Sequence, residues 1–152
     1  MACMGAGLML LPRAATALEL CPLFSSNTVL QREMPVPVWG WDEPGTKVTV
    51  TFAGQKVSAV ADGNGKWTAT LRPLTLSKQP QDLVVSAGGD KVVREGILVG
   101  DVWLCSGQSN MEMTFQTPRL PCDMPDFVKP DAMSLVRHLK VDVVRTKKLP
   151  KE

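Results

Sequence analysis

Ser106-Gly107-Gln108-Ser109-Asn110 is the stretch of this sequence whose residue types and placement suit chemistry. It follows a run, Ile97 to Cys105, that is apolar except at Gly100 and Asp101. Such a run reads as a strand buried on both faces, the usual situation in a parallel α/β sheet. A glycine-rich turn at the C-terminal end of that strand would expose a serine hydroxyl at the sheet edge. Met111 to Gln116 then has the composition of a helical turn. Backbone N–H groups at a helix start, helped by the helix dipole, can point at an oxyanion formed on the serine's target. The chemistry this fits is acyl transfer from an ester. It is the logic of the nucleophile elbow, although the G-x-S-x-G spacing is absent. Ser106 and Ser109 also fit ordinary turn or N-cap serines, and spacing alone does not choose between the readings.

The elements that must carry this turn are strands. From about Leu23 to Leu98 short extended segments alternate with turn chemistry. Val36-Pro37-Val38-Trp39 is extended, and Pro37, with Pro35 just before the stretch, suits an edge strand because proline donates nothing to a ladder. Gly40 to Gly45 is a turn cluster. In Lys47 to Phe52, Val48, Val50 and Phe52 share one face, the period of a half-buried strand. Ala53-Gly54-Gln55 turns the chain back, and Lys56 to Ala61 returns. Asp62-Gly63-Asn64-Gly65 is the strongest hairpin signal in the chain. Lys66 to Leu71 alternates again, Arg72 to Asp82 is looser and carries two prolines, and Leu83–Ala87 and Lys91–Arg94 flank a Gly88-Gly89-Asp90 turn. No helical period is visible here, which points to an antiparallel sandwich or barrel. The pattern changes near Gly96. Beyond the serine segment, prolines at 118, 121, 125 and 130 interrupt the chain before short elements at Met133–Leu139 and Val141–Val144.

Composition narrows the functional classes. Across 152 residues, 44% are hydrophobic and 21% charged, values of a globular chain. A net charge of +2 is too small to argue for nucleic acid or an anionic membrane surface. Arg145, Lys147, Lys148 and Lys151 read as a solvated tail. Cys3, Cys21, Cys105 and Cys122 include no C-x-x-C pair, so a zinc site is not expected. Cys105 reads as a buried small hydrophobe, and a disulfide from Cys21 or Cys122 has no partner selected by spacing. Asp62 and Asn64 lack the remaining acidic positions of a calcium loop. Trp39, Trp41 and Trp67 suit a sandwich core or the stacking of sugar rings, and Trp103 suits packing. Asp101 reads as a strand-end residue hydrogen-bonded to backbone. At the start, Ala2 to Leu11 is apolar or small apart from Cys3, and Ala15-Thr16-Ala17 fits a signal-peptidase site. Pro12 and Arg13 interrupt that run, and no basic residue precedes it.

Val99-Gly100-Asp101-Val102-Trp103-Leu104-Cys105-Ser106-Gly107-Gln108-Ser109-Asn110-Met111-Glu112 resembles the first block of the sialate O-acetylesterase family of SGNH hydrolases. Leu23 to Arg32, Val36 to Gly40 and Asp62 to Trp67 are similar to other family segments in the same order, and Leu135 to Val141 more weakly so. The resemblance covers roughly Leu20 to Met113. It implies a mixed fold: an all-β antiparallel sandwich-like domain over 20–96, then the truncated start of an α/β SGNH hydrolase domain over 97–152. Residues 1–17 read as a signal peptide. The implied location is secreted or periplasmic, or lysosomal or extracellular in a eukaryote.

The resemblance also implies Ser109 as catalytic nucleophile, with Gly107, Gln108 and Asn110 forming the nucleophile turn and the Ser109 N–H donating to the oxyanion. No metal or organic cofactor is implied. The expected partner is an O-acetylated glycan or sialic acid, with neither nucleic acid nor membrane. The family's base is a histidine in an Asp-x-x-His motif. This sequence has none: its single histidine, His138, follows Leu135 at that spacing and reads as a structural or surface residue. The expected function is therefore a serine carbohydrate O-acetylesterase carrying one catalytic residue of the set, with little activity from this chain alone. The rival is a non-catalytic carbohydrate-binding or interaction module, in which the sandwich works through Trp39 or Trp41.

Overall fold

The computed structural model describes residues 17–107 and 135–140. Eight strands are present among them: β1 (Glu19–Leu20), β2 (Val29–Gln31), β3 (Val36–Trp41), β4 (Lys47–Phe52), β5 (Gln55–Val60), β6 (Lys66–Leu71), β7 (Ser77–Ala87) and β8 (Asp90–Gly100). They form a three-stranded sheet, β1-β3-β6, and a five-stranded sheet, β2-β8-β7-β4-β5. The all-β, sandwich-like domain is as expected. Residues 17–107 contain no helix, and the expected α/β continuation falls largely outside the described residues.

Period-two patterning builds the two layers. Val48, Val50 and Phe52 of β4 and Leu83 and Val85 of β7 face Val38 of β3 and Trp67, Ala69 and Leu71 of β6 in one core. Each fully buried Val, Leu or Phe side chain of this kind stabilises the fold by about 1.5–3 kcal/mol relative to exposure. Trp67 is the largest buried side chain. It sits beside Gly40, the residue paired with it across β3 and β6. A side chain at position 40 would collide with the Glu19 carbonyl oxygen and the Trp67 ring, so β1, β3 and β6 can approach this closely only at a glycine. β1 pairs with β3 only at Gly40 and Trp41, which leaves the Pro37 stretch beyond the reach of a second β-ladder.

Two turns differ in what they join. Ala53-Gly54 makes a two-residue hairpin between β4 and β5, both residues at positive φ. The Asp62-Gly63-Asn64-Gly65 turn also forms: the Asp62 carboxylate accepts from the Asn64 and Lys66 amides at 2.8 and 2.9 Å. It is not a hairpin, however. β5 and β6 belong to different sheets, so this turn carries the chain from one layer to the other. The turn chemistry is local, whereas strand pairing is decided by which faces are apolar.

β7 and β8 extend well beyond the expected strands. Leu83 pairs with Arg94 but Gln81 pairs with Ile97, so β8 carries an extra residue there, with Gly96 at φ +72. This is a β-bulge with glycine in the left-handed region. A second shift, between Ser77 and Gln81, falls on the β7 side and takes up Pro80. Past the bulge, β8 gains a neighbour on its other edge: β2 pairs with it in parallel, Val29 with Leu98, Leu30 with Val99 and Gln31 with Gly100. The sheet is thus not purely antiparallel.

Candidate active site

Ile97, Leu98 and Val99 are 0, 4 and 2% exposed, whereas Val102, Trp103 and Leu104 are 55, 84 and 93% exposed. The expected strand buried on both faces is therefore real over its first half only. Val99 lies between β7 and β2 rather than at a bare edge. After Gly100 the chain leaves the sheet, and residues 101–107 have no regular structure. Two expectations are corrected here. Trp103 and Cys105 are exposed rather than buried, because no strand among the described residues lies beside either of them. Cys21, by contrast, is buried in the core.

The start of this exit is held by two consecutive residues from the end of β2. The Val102 N–H donates to Gln31 Oε1 at 2.8 Å, and the Gln31 side-chain amide donates to the Arg32 carbonyl at 3.2 Å, which fixes its orientation. Arg32 Nε donates to Asp101 Oδ1 at 2.9 Å, and the Arg32 N–H donates to the Gly100 carbonyl at 2.9 Å. Arg32 also pairs with the Glu33 carboxylate. The Asp101 hydrogen bond and its charge, with the Glu33 charge adding to them, hold the Arg32 guanidinium above its ordinary pKa. Asp101 is thus a strand-end residue as expected, but its partner is a side chain from the other end of the domain. Nothing in the sequence singles out Gln31 and Arg32 except their place in the Leu23–Arg32 segment. A charge pair 69 residues apart has no spacing signature.

Of the expected site residues, Gly107 is described and exposed, as is Ser106; Gln108, Ser109 and Asn110 lie outside the described residues, as do Cys3 and Cys122. His138 is exposed within residues 135–140. The tryptophans divide. Trp67 fills the core, Trp39 packs edge-on against Phe24 with ring centroids 4.9 Å apart, and Trp41 keeps a partly open ring. A shallow cleft of about 470 Å³, bordered by Leu18, Glu19, Pro22, Phe24 and Arg94, lies toward the opposite end of β8 from Gly100. No cluster of three or more His, Cys, Asp or Glu side chains that would hold a metal occurs among the described residues. No helix among them is long and apolar enough to cross a membrane.

No protein-family model matches the chain. It is 35% identical over 112 residues to human sialate O-acetylesterase, covering 66% of this chain and 21% of that enzyme. It is 38% identical over 97 residues to the Mus musculus enzyme, covering 57% of this chain and 18% of the enzyme. Among solved structures, a carbohydrate acetylesterase from Xanthomonas citri superposes with a TM-score of 0.61 at 38% identity, over 63% of this chain and 22% of that one. The chain is a distant homologue of sialate O-acetylesterase-like carbohydrate esterases. It spans about a fifth of the length of these esterase relatives.

Proposed function

We propose that this chain supplies the sandwich and the nucleophile segment of a serine carbohydrate O-acetylesterase, with Ser109 as nucleophile and the residues beyond Gly100 opening an SGNH-type α/β domain. The observation that carries this reading is the joint sequence and fold similarity to the Xanthomonas citri carbohydrate acetylesterase, at 38% identity and a TM-score of 0.61. The latched exit at Gly100–Val102 agrees with it, since it launches the chain toward the serine from a fixed point. The exposed apolar stretch Val102–Leu104 is then the surface against which the rest of a longer esterase packs. The 1–17 segment, read as a signal peptide, directs export.

In this mechanism Ser109 Oγ attacks the acetyl carbonyl while a base takes its proton. The C–O bond to the sugar breaks, and the sugar oxygen leaves with that proton. Water then attacks the acetyl-enzyme, acetate departs and Ser109 regains its proton. The Ser109 N–H donates to the oxyanion in both tetrahedral intermediates. The base must come from outside this sequence, because its one histidine lies in no Asp-x-x-His motif.

Two experiments test the reading. The 152-residue chain alone should release little or no acetate from an aryl acetate. A chimera in which it replaces the matching segment of the Xanthomonas citri acetylesterase should release acetate from an O-acetylated sugar, and Ser109→Ala should abolish the release. Undiminished turnover in the Ser109→Ala chimera would sink the assignment.

A further inference from the structure

The chain from Phe24 to Arg32 is laced to β8 along its edge. Arg94 Nε donates to the Phe24 carbonyl at 2.9 Å, the Asn27 N–H to the Glu95 carbonyl at 2.8 Å and the Leu98 N–H to the Thr28 carbonyl at 3.0 Å. The lacing does not stop where β8 stops. Its last bonds, from Gln31 and Arg32, reach Val102 and Asp101, beyond the end of the strand. Building on the esterase reading above, we propose that Gln31 and Arg32 are positioning residues, a two-point latch that fixes the direction in which the chain leaves the sandwich toward Ser109.

Three features of the geometry carry this. First, the two bonds grip adjacent residues by different groups, one the Val102 backbone amide and the other the Asp101 carboxylate. One tether leaves the departing chain free to pivot, whereas two at consecutive residues set its heading. Second, both anchors are themselves fixed. Gln31 sits in register opposite Gly100, and the Glu33 N–H donates to the Leu74 carbonyl at 2.8 Å just past Arg32. Third, the Arg32–Asp101 pair lies at the surface, where an ion pair adds little to stability. Its effect is geometric more than energetic. Placement is what an acyl-transfer nucleophile needs, since displacement by about 1 Å can cost on the order of a hundredfold in rate.

Amide exchange followed by NMR on the 152-residue chain reads the latch directly. Gln31→Leu removes the acceptor, and the Val102 amide should exchange roughly tenfold faster. Gln31→Glu keeps an acceptor oxygen and should keep most of the protection. Asp101→Ala, a change at an exposed residue that does not threaten the core, should also speed Val102 exchange. Arg32→Asp combined with Asp101→Arg should restore the slower rate. Protected amides at Val85 and Ile97 report that the sandwich is intact. Equal Val102 exchange in wild type, Gln31→Leu and Asp101→Ala overturns the latch. In the chimera, Gln31→Leu and Arg32→Ala should lower kcat about tenfold or more with KM little changed, and Gln31→Glu should retain kcat. Unchanged kcat overturns the positioning role. Exchange involves no ester chemistry, and the Ser109→Ala chimera judges the esterase reading by itself, so each can fail without the other.

Discussion

Ile97–Val99 and Val102–Leu104 are equally apolar and separated only by Gly100 and Asp101, yet the first triplet is buried and the second lies in the open. Nothing in their composition accounts for this. The first triplet has β7 on one edge and β2 on the other, and its inward side chains meet the core. The second has no strand on either edge among the described residues, and only the Val102 N–H is held, by Gln31. Hydrophobicity thus records a demand for burial, and neighbouring strands decide whether it is met. The boundary falls at Gly100, where the β2 and β8 ladders end together. The Gln31–Arg32 latch sits on that boundary.

The largest test of this contrast compares two tryptophans. Trp67→Ala should cost about 3–5 kcal/mol, because it empties the middle of the core. Trp103→Ala should change stability by no more than about 0.5 kcal/mol, since the ring touches little. Denaturant unfolding of both variants measures the difference, and a large loss for Trp103→Ala would mean that the second triplet is packed in solution. Next comes Gly96→Ala, where φ is +72 and an added methyl collides with the Asn27 side chain. A loss of about 1–3 kcal/mol is expected from backbone strain alone. A neutral outcome would mean that the bulge can be remodelled without disturbing the buried triplet. Smallest is the pH effect of the latch. The folded state raises the Arg32 pKa, so its contribution is complete below the ordinary arginine value and is lost only as pH rises through the raised one. From about pH 6 to 9, wild type and Arg32→Lys should therefore show parallel stability profiles, since either side chain is charged throughout. Diverging profiles would show that another titrating group governs the pair.

Much of the sandwich could be read from alternation: Val48, Val50 and Phe52 face inward as expected, and so do Trp67, Ala69 and Leu71. The hairpin at Ala53-Gly54 and the turn at Gly88-Gly89 were legible because each carries glycine, which adopts positive φ without steric cost. The layer change at Asp62–Gly65 was not, since the same turn chemistry serves a hairpin or a crossing. The run from Arg72 to Asp82 looked loose because Pro80 is a poor ladder residue, and the structure absorbs it at a register shift. The parallel pairing of β2 with β8 left no local trace, for only three residues of β2 take part. Of the candidate site, the serine segment was legible through its wording alone. The residues that steady its approach were not, because Arg32 and Asp101 meet only after the whole domain has folded between them.

That separation has a consequence for synthesis. Arg32 and Asp101 are 69 residues apart, and among the described residues β2 has no strand partner other than β8. At a translation rate of about 5–20 residues per second, β2 leaves the ribosome roughly 3–14 s before the strand it must join. During that interval every other strand of the larger sheet except β8 can be made, while the strip from Phe24 to Gln31 waits unpaired. The larger sheet is closed by its first strand docking onto its last, so this step of its assembly comes only as the serine segment begins to emerge.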